Sequence, residues 1–172
     1  MLMNPTTGPA LILDGDLPLQ PTAALPRPPS DAAAAITRGV RRMLAERGQR
    51  GLLEFPLANG RRADILALAD DGDVTIIEVK SGPADFKTDQ KWPDYLEYCD
   101  RFFFAVAADF PLDLIPAGCG LIIADAFGAE IIRSSSLTKM AAARRKALTL
   151  RVAQIAMARL HRVEDPGFRV AD

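Results

Sequence analysis

The chain has 172 residues, 49% hydrophobic and 25% charged, values that exclude collagen-like, wholly disordered and coiled-coil chains and fit one globular domain. No apolar run approaches the roughly 20 residues needed to cross a bilayer, and the first basic residue is Arg27, so neither a membrane span nor a cleaved leader is expected. The net charge of −1 conceals a split: +3 over residues 1–62, −10 over 63–130 and +6 over 131–172. Surface variation can give such a split, and so can a carboxylate metal site between phosphate-binding segments.

Residues 1–30 hold seven prolines and no regular period, which predicts an extended, disordered arm ahead of a single domain over 31–165 and a short tail over 166–172. Ser30 or Asp31 can cap a helix over 31–47, stopped by Gly48. Ile36, Val40, Met43 and Leu44 make its apolar stripe. Arg38, Arg41 and Arg42 take the opposite side, either as a solvated face or as a phosphate-contacting one. Three strands are expected next, over 52–58, 61–69 and 74–80. Asn59-Gly60 marks the first hairpin and Asp70-Asp71-Gly72-Asp73 the second.

Gly82-Pro83 ends the third strand, and helical material is expected to run to about residue 99, divided or restarted at Pro93. Phe102, Phe103, Phe104 and Val106 suit a central strand buried on both faces. Short strands over 121–124 and 131–133 and a long helix over 137–162 close the chain. That helix region carries seven Lys or Arg between Lys139 and Arg162 and no acid, interrupted by apolar residues in the same sector. It suits packing with arginine heads at the rim, or a partner surface, at least as well as DNA binding. The class is α/β (α+β): an α-β-β-β-α-β core, two further strands and a closing helix. The only cysteines, Cys99 and Cys119, suggest buried thiols in a reducing cytoplasm. The single histidine, His161, excludes multi-histidine zinc sites and leaves little room for a Ser-His-Asp triad.

The chemistry is expected at the end of the third strand. Glu78 and Lys80, two apart, project to one face, and charged side chains finishing an apolar strand must be paired or bind something. On the strand before, Asp64 interrupts an apolar stretch. A three-residue connection over 70–72 sets Asp64 opposite Glu78, with β-carbons roughly 5 Å apart; a two-residue turn sets it opposite Val79 instead. In the first register two carboxylates converge beside Lys80, a donor set suited to Mg²⁺ with water and phosphate oxygens. The alternative is a buried structural ion pair. Glu54 is a tentative third acid, although a two-residue Asn-Gly loop would set it against Ile65. Trp92 and Tyr95 can stack on an unpaired base or anchor a helix to the sheet.

Asp64 followed by Glu78-Val79-Lys80, on the second and third strands after an opening helix, resembles the PD-(D/E)XK nuclease superfamily with its restriction-endonuclease-like fold. The combination of Asn59-Gly60-Arg61-Arg62-Ala63-Asp64, Glu78-Val79-Lys80-Ser81, Asp85-Phe86, Lys91-Trp92-Pro93-Asp94-Tyr95, Cys99-Asp100-Arg101 and Phe103-Phe104-Ala105-Val106 more specifically resembles the MmcB family of bacterial DNA repair proteins. The resemblance implies Asp64 and Glu78 as ligands of Mg²⁺ or Mn²⁺, the Val79 carbonyl as a third ligand, Lys80 as the catalytic lysine and Gln90 near the site. DNA is the implied partner, with a repair protein as another. The first helix has no glutamate in its inward stripe, where some branches of the superfamily carry one. Beside a Mg²⁺-dependent deoxyribonuclease, therefore, a non-cutting adaptor on the same fold stays open.

Overall fold

The computed structural model describes residues 30–88 and 91–167; the expected arm up to residue 29, Gln90, and the tail from residue 168 lie outside the described residues. Ser30 caps the first helix, its Oγ accepting from the Ala33 N–H at 3.2 Å, and α1 runs Asp31–Glu46. Its buried stripe is Ile36, Val40, Met43 and Leu44, at the spacing the sequence sets. Gly39 is buried too. A Cβ there would stand 2.2 Å from the Asp125 carbonyl oxygen and 2.3 Å from that of Gly128, so only glycine lets α1 lie this close to the 125–128 turn.

Strands β1 (Arg50–Pro56), β2 (Arg62–Leu68) and β3 (Val74–Lys80) form an antiparallel meander. A short helix, α2 (Pro83–Thr88), and a 3₁₀ segment (Trp92–Tyr98) carry the chain back, so that β4 (Arg101–Val106) lies parallel to β3. β5 (Gly120–Ala124) is parallel to β4, and β6 (Ala129–Arg133) returns antiparallel. The six strands lie in sequence order. This is the mixed α+β sheet expected, with β1 and β6 as its edges. All seven residues of β3 are buried, as is β4 after Arg101, because helices cover both faces.

On one face α1 packs against Ile65, Ile77, Val79, Phe103 and Ile122. On the other, Phe86 of α2, Tyr95, Cys99 and Leu148 of α3 (Ala142–Glu164) cover Phe55, Leu66, Ile76, Phe102 and Phe104. Each fully buried Leu, Ile or Phe contributes about 1.5–3 kcal/mol, so these two layers are the main stabilising term. No helix among the described residues is long and apolar enough to cross a membrane.

Pro93 stands in the first turn of a new helical segment, Trp92–Tyr98, one of the two outcomes expected of it, and that segment is 3₁₀. One boundary differs from the expected one. The last helix starts at Ala142, not near 137, because the preceding chain gives its polar groups to the sheet. Ser135 Oγ accepts from Phe102 N–H at 3.0 Å, Thr138 N–H donates to the Asp100 carbonyl at 2.9 Å, and Met140 N–H donates to Asp100 Oδ1 at 2.9 Å. Five of the seven basic residues between Lys139 and Arg162 are engaged within the molecule. Lys139 pairs with Asp73, Arg144 with Glu97 and Arg145 with Asp100. Arg151 donates to the Pro56 carbonyl at 2.9 Å, and Arg159 to those of Leu53 and Glu54 at 2.6 and 3.0 Å. The arginines thus clamp α3 onto an edge strand whose polar backbone would otherwise face open solvent.

Candidate active site

Both hairpins close with three-residue connections. In the second, Ala69 N–H donates to the Asp73 carbonyl at 3.0 Å, and Gly72 adopts φ 84°. The β2–β3 pairs Ile65–Ile77 and Leu66–Ile76 follow, so of the two registers open to the sequence the structure takes the one that brings Asp64 opposite Glu78. The first hairpin corrects an expectation. Leu57 N–H donates to the Arg61 carbonyl at 2.8 Å around residues 58–60, where a two-residue Asn59-Gly60 loop was expected. Gly60 takes the left-handed conformation, φ 80°, at the third loop position, a common three-residue hairpin. Asn59 instead uses its side chain, accepting from Arg61 N–H at 3.1 Å and donating to the Asp94 carbonyl at 2.9 Å.

Shifting that register by one sets Leu53, not Glu54, against Ile65 and leaves Glu54 facing Asp64. The pleat breaks at this opposed pair. Leu52 and Phe55, three apart, pack into one cluster, while Leu53 packs into the other; Ala63, Leu66 and Ile65 repeat the pattern on β2. The cause is Glu54, which has φ 49°, an uncommon conformation for a residue with a β-carbon. Its half-exposed carboxylate is held by Arg62. The structure therefore sets Glu54 beside Asp64 in register but ties its charge to an arginine.

Asp64, Glu78 and Lys80 do come together. Asp64 Oδ2 accepts from Val79 N–H at 2.8 Å, Glu78 Oε1 accepts from Asp64 N–H at 3.2 Å, and Lys80 Nζ lies 4.0 Å from Glu78 Oε2. Glu78 and Lys80 are each only 3% exposed. Burial pushes the Asp64 carboxyl up to about 6; the Val79 N–H and Lys80 oppose that shift, and the nearby charges of Glu54 and Asp85 add to it. All three residues line one cleft of about 1030 Å³. Its opposite wall is the arginine side of α1, including Arg38, Arg41 and Arg42.

The donors in this cleft are hard carboxylate oxygens, with neither histidine nor cysteine. That set fits Mg²⁺ or Mn²⁺ rather than zinc. Among the described residues no group of three or more His, Cys, Asp or Glu is arranged to hold a metal ion. The chain thus offers two carboxylates, and the other positions would fall to water, phosphate or a backbone carbonyl such as that of Val79, a sharing usual for Mg²⁺.

The other sequence candidates sort by contact. Arg42 donates to the carbonyls of Ala126 and Phe127 at 3.0 and 3.1 Å, whereas Arg38 and Arg41 are exposed. Trp92 packs on Phe102 and Phe104, with centroids 5.8 and 6.2 Å apart, and Tyr95 stacks on Phe102 at 6.0 Å while donating to the Arg62 carbonyl. These rings anchor the 92–98 segment to the sheet. Sequence reasoning did not single out Asp100, the most buried acid among the described residues, because nothing in Cys-Asp-Arg distinguishes a buried aspartate from a surface one.

An α-β-β-β-α-β core extended by two strands and a closing helix, with Asp64 on its second strand meeting Glu78 on its third, defines an α+β domain with a mixed sheet. The model of the MmcB-like DNA repair proteins matches residues 20–167, and the chain belongs to that family. A protein of unknown function from Silicibacter pomeroyi is similar throughout, with 44% identity and a TM-score of 0.78 over 82% of this chain and 97% of that one. A repair endonuclease from Pyrococcus abyssi shows a distant, partial likeness, with 20% identity and a TM-score of 0.31 over 48% of this chain and 40% of that one. No curated protein matches the chain.

Proposed function

We propose that this protein hydrolyses DNA phosphodiesters during repair, using Mg²⁺ or Mn²⁺ held between Asp64 and Glu78. The meeting of those two acids beside Lys80 in one cleft supports this reading above all else. When bound, such an ion supplies positive charge against the phosphodiester transition state and acidifies water. The chain contributes orientation. Val79 N–H fixes Asp64 and Asp64 N–H fixes Glu78, so both acids are aimed before any ligand arrives, with the Val79 carbonyl as a third donor. Lys80 either orients the attacking water or steadies a non-bridging phosphate oxygen. Water oxygen attacks phosphorus, the bond to the leaving sugar oxygen breaks, and that oxygen takes up a proton. Arg38 and Arg41 would hold phosphates flanking the scissile one. The reading places the protein with its DNA in the cytoplasm, where Cys99 and Cys119 remain thiols.

One observation favours a second reading. The α1 wall of the cleft presents Ala33, Ala34, Thr37 and arginines but no acid, and a domain that binds DNA or a repair protein without cutting would need none. Incubation with single-stranded, flapped and crosslinked DNA, with Mg²⁺ or Mn²⁺, tests the choice. Cleavage that Glu78→Gln abolishes while the fold is retained is the expected result; salt-sensitive binding without cleavage of any substrate would leave the adaptor.

A further inference from the structure

Among the described residues one aromatic side chain is exposed, and it is Phe127, at 81%. Its backbone is tightly fixed. Asp125 Oδ1 accepts from the N–H groups of Phe127 and Gly128 at 2.7 and 2.9 Å, and Asp125 N–H donates to the Gly128 carbonyl at 3.0 Å. Arg42 ties down the carbonyls of Ala126 and Phe127 from outside the turn, and the close seat of Gly39 presses α1 onto it. The ring is therefore held out by a rigid scaffold, the usual setting of a binding residue on a loop.

Its position is also specific. Arg42 lines the cleft and donates to the Phe127 carbonyl, so the turn that presents the ring adjoins the arginine wall of the cleft, which includes the exposed Arg38 and Arg41. A flat apolar ring beside guanidinium groups is how proteins hold single-stranded nucleic acids: the cations follow the phosphates and the ring takes a base. Fully paired DNA keeps its bases stacked within the duplex and offers such a ring no face.

We propose that Phe127 is a stacking platform for an unpaired base of DNA whose phosphates run along Arg38 and Arg41; this rests on the DNA reading above. The test uses the full chain in chelator, so that nothing is cut. Fluorescence anisotropy compares a flapped oligonucleotide with a matched, fully paired duplex, and a second flap carries 2-aminopurine at the unpaired position. Phe127→Ala should weaken flap binding about tenfold, the loss of one base–aromatic contact, and leave duplex binding unchanged. Phe127→Trp should restore it, and the wild type should quench the 2-aminopurine where Phe127→Ala does not. Equal flap affinities of wild type and Phe127→Ala would overturn the platform. If the wild type binds and cuts DNA but Phe127→Ala matches it, the platform alone fails; if the wild type binds no DNA, the DNA reading falls with it.

Discussion

The two ends of β3 each give a backbone N–H to an aspartate, Asp100 fully buried and Asp64 partly so, and the two aspartates behave oppositely. At the first end, Val74 N–H donates to Asp100 Oδ2 at 2.8 Å; at the last, Val79 N–H donates to Asp64 Oδ2, also at 2.8 Å. Burial would raise Asp100, which is only 1% exposed, but the fork of Arg145 and the N–H groups of Val74 and Met140 outweigh it and hold the carboxyl down at about 2. At Asp64 burial outweighs the Val79 N–H and Lys80 and pushes the carboxyl up to about 6. One end carries its own cation. The other end gathers Asp64 and Glu78 beside the ammonium of Lys80, the arrangement on which the proposed cation site rests.

Substitutions can break this contrast. The largest effect belongs to Asp100→Ala, which strips the partner from Arg145 and from the Val74 and Met140 N–H groups; urea denaturation should show a loss of about 3–5 kcal/mol. Asp64→Asn should do the reverse. It keeps an acceptor for Val79 N–H and removes a charge that burial disfavours, so the metal-free protein should gain roughly 2 kcal/mol at pH 7. Calorimetric titration of the same variant with Mn²⁺ should show binding lost. Destabilisation comparable to that of Asp100→Ala would make the Asp64 cluster structural as well.

The pH dependence has opposite signs at the two ends. Native Asp100 releases its proton below its ordinary 3.8, so its contribution is complete above that value and is lost as pH falls toward 2. Native Asp64 keeps its proton up to about 6 while the unfolded chain releases it near 3.8, so its penalty grows as pH rises between those values. Denaturation at pH 4 and pH 7 should therefore find the advantage of Asp64→Asn small at the lower pH and full at the higher. The smallest effect is expected at Glu54. Glycine there relieves the left-handed backbone but loses a half-exposed pair with Arg62, two terms of about 1 kcal/mol each that nearly cancel. A net change well above that in a melting experiment would mean that Glu54 supports more than its own turn.

The order of elements along the chain and the inward stripe of α1 were legible because the period of α1 and the continuous apolar runs of β3 and β4 admit one reading each. Asp64 opposite Glu78 was legible only as one of two registers, since the Asp70–Asp73 turn fits loops of two or three residues. The first hairpin went the other way for the same reason: Asn-Gly serves both a two-residue turn and the last two positions of a three-residue one, and the choice was made by Asn59 reaching Asp94, a contact 35 residues away. The Asp100–Arg145 pair spans 45 residues and leaves no local pattern. Phe127 was visible only as part of a turn, because exposure is not written in a single residue.

The clamp of Arg159 on Leu53 and Glu54 joins residues 106 apart, whereas most of the sheet pairs neighbours along the chain. During synthesis the meander and α1 can therefore associate early, while the wall of the cleft that contains Glu54 stays slack until the final helix has been made. A ribosome-bound chain stalled before Arg159 would carry both Asp64 and Glu78 but not the finished groove, so the cleft is completed only when nearly the whole domain has emerged.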